Sequence, residues 1–411
     1  MENINFADQR LEEQPWKGKN HWVSHFNFAP EITEKFNKPA KIIVHDSTLR
    51  DGEQAPGVSF SKEQKISIAK KLDEIGVQYI EAGFPAVSKE DQEAIAAISS
   101  LGLKAKTTCL TRAIEKDVDL AAEVGVWGSI IEVPVGYPRL KYQFNWEEQE
   151  VMKRTMNALE YANKKGLKTI LFLIDAARAR AGFLKEFLTT ADESGLVDKI
   201  SVVDTLGAAT PEALSLLVRT VKKWVKAPLE VHFHNDFGLA TINTISGLMA
   251  GAESFSCTVN GLGQRAGNAP LEEVVFALKL LYGVDSDLKL EKIRDLSDYI
   301  QDLSGIKMPP YKAVVGDKIF NWEAGIPTAA LRRLPLTVEP YTPELVGEKH
   351  EIILGKKAGK ANILYKLEEF NLDYDDELVE KLVQVVKEKA IQKNEPLSDQ
   401  EFKDLYTSQK G

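Results

Sequence analysis

Between residues 41 and 285 the chain alternates short β-branched, apolar runs with longer stretches in which apolar residues recur every three or four positions. The short runs cover 41–46, 77–83, 105–110, 129–135, 168–174, 199–204, 229–233 and 254–259. Their length and β-branched content predict strands. The stretches between them, 62–75 and 211–225 among them, carry a helical period. Thr210 precedes Pro211 as a cap before a first-turn proline. Gly76, Gly125, Gly166 and Gly195 stand where helices are expected to end. Eight strands, each followed by a helix, predict an α/β fold of the (β/α)8 kind, a TIM barrel. A doubly wound open sheet is the alternative, and the eight-fold count favours closure.

The flanks follow other patterns. Residues 1–40 are polar, with Trp16, Trp22, Phe26 and Phe28 interspersed, and are expected to form an N-terminal arm. The barrel is expected to span 41–285. Beyond it, 290–306 predicts a helix that Met308-Pro309-Pro310 breaks. Residues 311–360 are rich in Gly and Pro, and amphipathic helices are predicted near 375–391 and 397–406. Residues 286–411 are therefore expected to form a small C-terminal helical subdomain. A chain of 411 residues is too long for one ordinary core of about 100–200 residues.

Composition narrows the partners. A net charge of −9 argues against nucleic acid and anionic membrane. Cys109 and Cys257, the only cysteines, imply no disulfide framework. The start shows no basic-then-apolar leader, and no run approaches the roughly 18 apolar residues of a membrane helix. A cytoplasmic protein is expected.

The chemistry concentrates at strand ends. Residues 45–54, His-Asp-Ser-Thr-Leu-Arg-Asp-Gly-Glu-Gln, follow the first strand and turn at Ala55-Pro56-Gly57. They read either as a polar cap on the next helix or as a site on the C-terminal face of a barrel. His232 and His234 are spaced i, i+2 in strand 7, so both side chains point to one face and can reach one metal. Asp51 is the natural carboxylate to complete that site, because only strand 8 separates strands 1 and 7. The glycine-rich loop after strand 8 offers Asn268 as an amide ligand. A mixed N/O set is open to Mn, Zn, Fe or Mg. Strand 2 ends in Glu81, strand 5 in Asp175 with Arg178 and Arg180 after it, and strand 6 in Asp204-Thr205. Tyr137, Arg139 and Lys141 follow strand 4. Cations at a barrel mouth suit carboxylate substrates.

Residues 45–57, 231–240 and 260–269 resemble the three signatures of the DRE-TIM metallolyase superfamily, whose barrel is HMG-CoA lyase-like. Within it the chain is most similar to the 2-isopropylmalate, homocitrate and citramalate synthases over roughly residues 40–365. The segments 342–347 and 355–359 resemble the subdomain that follows the barrel in these synthases. Their long regulatory domain is not expected here.

The resemblance implies a divalent ion (Mg, Mn or Zn) on Asp51, His232 and His234, with Asn268 nearby. It implies Arg50 as the catalytic stabiliser of an oxyanion or enolate. It gives Thr205 to the carboxylate of a 2-oxo acid, and Gln54, Glu81 and Arg178 to the rest of the substrate site. The implied reaction joins acetyl-CoA to a 2-oxo acid, in an amino-acid biosynthetic role and as a homodimer. The alternative is a metal-dependent aldolase or lyase that needs no acetyl-CoA. The chain departs from the synthase pattern where enolisation is carried out. The Glu that ends strand 5 in the synthases is Ile174 here, and the subdomain's Gly-Ile-His reads Gly325-Ile326-Pro327. Gln264 stands in the family's Gly-Glu-Arg, and Lys357-Ala358 where His-Ser is usual.

Overall fold

The computed structural model describes residues 14–410. Eight parallel strands close into a barrel in sequence order: β1 (Ile43–Asp46), β2 (Tyr79–Glu81), β3 (Lys106–Arg112), β4 (Gly128–Pro134), β5 (Lys168–Ile174), β6 (Lys199–Asp204), β7 (Leu229–Phe233) and β8 (Ser254–Cys257). Asp46 lies opposite Cys257 where β8 returns to β1. The helices Lys62–Ile75, Lys89–Ser100, Glu115–Glu123, Glu148–Lys164, Ala181–Glu193, Pro211–Trp224, Ala240–Met249 and Leu271–Tyr282 follow the strands in turn. The predicted TIM barrel is the observed fold. β2 and β8 are shorter than expected. The chain leaves β2 through Gly83, at φ 148, and leaves β8 into a turn on Asn260, at φ 61.

Local signals set the helix limits. Ser61 and Gln64 form a reciprocal capping box at the start of Lys62–Ile75, and Gly76 ends it at φ 106. Thr210 accepts from the Ala213 N–H, and Pro211 opens the next predicted helix. The strands are buried on both faces, which explains why they read as continuous apolar runs and not as alternations. Leu110, Ile130, Ile170, Phe172 and Val203 fill the barrel interior, with Phe84 and Ile174 against them.

A polar network also lies buried in the barrel. His45 Nδ1 is 3.0 Å from Glu230 Oε2, and its Nε2 is 2.9 Å from Thr108 Oγ1. Lys199 Nζ donates to the same Glu230 oxygen at 3.0 Å. Burial would raise the Glu230 carboxyl, but Lys199 and His45 outweigh it and hold it well below the usual range.

The chain divides into two units. Phe26–Met308 holds the barrel. The helix Ile293–Ser304, which the sequence pattern put with the C-terminal part, lies in this unit, where Asn260 Nδ2 donates to the Ser297 carbonyl at 3.0 Å. The other unit joins residues 14–25 to Pro309–Gly411, and the Trp22 N–H donates to the Pro340 carbonyl at 2.9 Å. Its core gathers Ile363, Leu367, Val379, Leu382, Val386 and Phe402. It includes the expected helices Asp376–Lys393 and Asp399–Lys410, and also Lys360–Glu369. Gly325–Leu331, read as loop from its Gly and Pro content, is a short helix with Pro327 in its first turn. Among the described residues no helix is long and apolar enough to cross a membrane.

Phe255 is fully buried on β8, on the face opposite the barrel interior. Phe255→Ala should destabilise the protein by about 3–5 kcal/mol. Ser61→Ala, which removes only the cap, should cost about 1 kcal/mol. Guanidinium unfolding of both variants beside the parent checks the ranking.

Candidate active site

After β1 the chain winds into a tight turn. The N–H groups of Arg50, Asp51 and Gly52 converge on the Ser47 carbonyl at 3.1, 2.8 and 3.1 Å. Leu49 is buried by this turn, which directs Arg50 and Asp51 to the C-terminal mouth of the barrel. Arg50 Nε and Nη2 donate to the two oxygens of Glu81 at 2.6 and 2.9 Å, and Nη1 donates to Asp51 Oδ2 at 2.8 Å. Ser47 Oγ donates to Glu81 Oε2 at 2.5 Å. Burial alone would raise the Asp51 carboxyl; Arg50 and His232 outweigh it and hold it well below the usual carboxylate range.

From β7, His232 Nε2 and His234 Nε2 approach Asp51 Oδ2 at 3.4 and 3.9 Å. His232 Nδ1 lies 2.9 Å from Ser256 Oγ. His234 Nδ1 faces the Gly267 carbonyl at 3.2 Å. A carbonyl only accepts, so this ring nitrogen carries the proton and Nε2 presents its lone pair. Burial, and then the neighbouring His232, push the His234 imidazole down to about 4, so it is neutral near pH 7.

The loop after β8 supplies Asn268, whose Nδ2 donates to Asp51 Oδ1 at 3.1 Å and to the Leu262 carbonyl at 3.0 Å. Its Oδ1 is buried and takes no hydrogen bond among the described residues. The glycines of this loop are steric requirements. At Gly263, φ 155, a Cβ would collide with the Asn268 amide, and at Gly267 it would collide with the Gly261 carbonyl.

The ligand atoms of Asp51, His232 and His234 lie within 4.8 Å of one another, and all three residues are buried. One carboxylate, two imidazoles and an orphaned amide oxygen form a donor set that fits a divalent cation.

The other expected residues are placed as follows. Glu81 has both oxygens committed to Arg50, one of them shared with Ser47, so its side chain positions the guanidinium. Thr205 Oγ1 accepts from the Asp175 N–H at 2.8 Å. Arg178 makes a two-pronged pair with Asp175, at 2.8 and 2.7 Å. Thr205, Asp175 and Arg178 thus form a second cluster, at the ends of β5 and β6. Gln54 is exposed and accepts from Gln264 Nε2 at 2.9 Å.

Sequence patterns missed several neighbours. The Phe172 ring sits 5.2 Å from the His232 ring and 5.8 Å from Arg50 Cζ. Ser256 orients His232 from β8. Glu132, an acid inside the apolar run of β4, was the one visible signal. With Arg112, Phe144, Trp146, Arg154 and Ile174 it lines a cavity of about 290 Å³ at the ends of β3, β4 and β5.

The family described as HMGL-like matches residues 41–300, and that described as homocitrate synthase post-HMGL domain-like matches residues 314–394. Homocitrate synthase AksA of Methanocaldococcus jannaschii is 42% identical over 389 residues, 94% of this chain and 94% of that protein. The 2-isopropylmalate synthase 2 of Caldanaerobacter subterraneus subsp. tengcongensis is 38% identical over 371 residues, 90% of this chain and 96% of that one. (R)-citramalate synthase CimA of Methanocaldococcus jannaschii is 43% identical over 345 residues, 84% and 70% of the two chains. The crystal structure of hydroxymethylglutaryl-CoA lyase from Pseudomonas aeruginosa aligns at a TM-score of 0.60 and 22% identity, covering 66% of this chain and 95% of that one. That likeness shows the shared barrel fold.

Asp51→Ala should reduce divalent metal retained after dialysis against Mn or Zn to background. Elemental mass spectrometry reads the stoichiometry, with circular dichroism confirming the fold. Full retention by the variant would disqualify this cluster as the metal site.

Proposed function

The chain belongs to the HMGL-like family, and on that premise we propose that it is a divalent-metal-dependent acyltransferase. It joins acetyl-CoA, or another acyl-CoA, to a 2-oxo acid by a Claisen-type condensation, and hydrolysis of the thioester then frees CoA. The observation that carries this reading is the continuous match, across both units, to relatives named as homocitrate, isopropylmalate and citramalate synthases. The lyase alternative has less support, because the lyase fold neighbour covers 66% of the chain and the post-HMGL match lies beyond it.

In this reading Asp51, His232, His234 and Asn268 hold the cation. When bound, the cation supplies Lewis-acid polarisation of the 2-oxo carbonyl. Arg50 carries a permanent charge that Glu81 and Asp51 fix in place, so it stabilises negative charge at the reacting oxygen without reorganising. Thr205 accepts from the Asp175 amide and keeps its own hydroxyl proton for the substrate carboxylate. Arg178 neutralises Asp175 and steadies that loop. Gln54 belongs to the rim of the same site. Ile174 offers no proton acceptor, so enolisation of the acyl group needs another group. The same reading puts the enzyme in the cytoplasm as a homodimer, in amino-acid biosynthesis.

Acetyl-CoA incubated with a panel of 2-oxo acids should release free CoA thiol, read with a chromogenic thiol reagent. Release should depend on the 2-oxo acid, stop with chelator and return with added Mg, Mn or Zn. Absence of thiol release with every acid, alongside liberation of a 2-oxo acid from hydroxy-acid adducts, would overturn the synthase reading.

A further inference from the structure

Glu132 is the ionisable group at the barrel mouth with the least accounted for. It sits on β4, in register with Phe172 on β5 and with Arg112 on β3. Side chains at paired positions of parallel strands point to one face, so Glu132 shares the interior face with Phe172. The Phe172 ring approaches both Arg50, at 5.8 Å, and His232, at 5.2 Å. Glu132 is therefore the cross-strand neighbour of a ring that approaches both Arg50 and His232. It lines the cavity whose apolar walls are Val133, Pro134, Phe144, Trp146, Val151 and Ile174.

Of the cations near that cavity, Arg112 and Arg154 are paired with acids, whereas Arg139 donates from Nη1 to Gln143 at 2.9 Å and keeps a buried Nε without a partner among the described residues. Arg112 donates to both oxygens of Asp117, at 2.7 and 2.9 Å. Arg154 Nε donates to Glu150 at 2.6 Å, and its guanidinium lies over Trp146. Glu132 itself takes no hydrogen bond or close ion pair among the described residues. It feels Arg50, Arg112 and Arg139 as attractive charges and Glu81 as a repulsive one. Its oxygens are not among the sealed, unsatisfied atoms, so they open onto the cavity. A carboxylate without a hydrogen-bond partner, on a mostly apolar cavity and in the field of a fixed guanidinium, is an arrangement suited to a general base.

We infer that Glu132 is the catalytic base that removes the α-proton of the acyl-CoA in this enzyme. The inference rests on the condensation reading above. One Glu132 oxygen takes the proton. The C–H electron pair becomes the enolate, whose charge rests on the thioester oxygen. The enolate carbon then bonds to the 2-oxo carbonyl carbon, and the carbonyl π pair moves to its own oxygen, where Arg50 stabilises it. The proton remains on Glu132 until it returns to solvent or product.

Burial pushes the Glu132 carboxyl above the usual carboxylate range, against the pull of Arg50. A base must be deprotonated to act, so turnover should fall as pH drops through this raised value. The groups facing it are Arg50 after β1, Glu81 on β2, Arg112 on β3 and Arg139 after β4.

The test uses the full chain loaded with Mn. Glu132→Gln keeps the shape and removes the base. It should lower kcat by about 10²–10⁴-fold, abolish deuterium wash-in from D2O to the acetyl-CoA methyl group, and remove the acidic limb of the pH profile. Metal content and the KM for the 2-oxo acid should hold. Glu132→Asp should retain wash-in and the acidic limb at reduced kcat, and it decides the matter if the Gln variant fails to fold. If parent and Glu132→Gln condense at similar kcat, or only KM changes, the base assignment falls and the condensation reading survives. If the parent itself releases no thiol with any 2-oxo acid, the condensation reading falls and takes this inference with it.

Discussion

Arg50 carries a permanent charge at 7% exposure, where water cannot solvate it. It is held by three hydrogen bonds to two carboxylates. This arrangement fixes much else. Glu81 orients the guanidinium through both of its oxygens. Asp51 gives one oxygen to Arg50 and the other to the Asn268 amide, which sets the plane of its carboxylate toward the two histidines. Removing one partner of such a buried pair typically costs about 3–5 kcal/mol, because the remaining charge is left uncompensated. The glycines after β8 belong to the same constraint, since only they let the Asn268 amide come close enough to Asp51.

The stretch from His45 to Asp51 does three jobs through the period of a strand. His45 points into the barrel and joins Glu230 and Thr108. Asp46, its neighbour, points to the other face and accepts from the amide and hydroxyl of Thr48. The Thr48 hydroxyl in turn receives the Val259 N–H, which ties the β1 turn to the β8 turn. Arg50 and Asp51 then reach the mouth. The charges that looked like one acidic loop therefore belong to separate environments, each with its own partners.

The barrel was legible because eight buried strands leave eight apolar runs, and because caps such as Ser61 and Thr210 carry local chemistry. The cluster of Asp51, His232 and His234 was legible for a related reason: residues at strand ends inherit the order of the strands. Glu81 and Arg178 were harder. Their type and position suit a substrate contact, and only side-chain geometry shows that Glu81 pairs with Arg50 and Arg178 with Asp175. Glu132 was visible as an acid in an apolar run, but its meaning depended on the register that sets it beside Phe172. The helix at Gly325–Leu331 was hidden by the Gly and Pro that open it.

The mouth of the barrel divides into two chemical halves. The β7, β8 and β1 side is densely polar, and both Asp51 oxygens there are directed by donors. The β3, β4 and β5 side is a mostly apolar cavity whose arginines are neutralised by Asp117 and Glu150. A 2-oxo acid presents two adjacent oxygen functions and suits the first half, whereas an acyl thioester is weakly polar and suits the second. Ile174 contributes hydrocarbon to that second half, and the extra apolar wall keeps water from solvating the one carboxylate left there. Ile174 offers the acid on the adjacent strand neither a hydrogen bond nor a charge. The departure at the end of β5 and the presence of Glu132 on β4 are thus two sides of one physical arrangement.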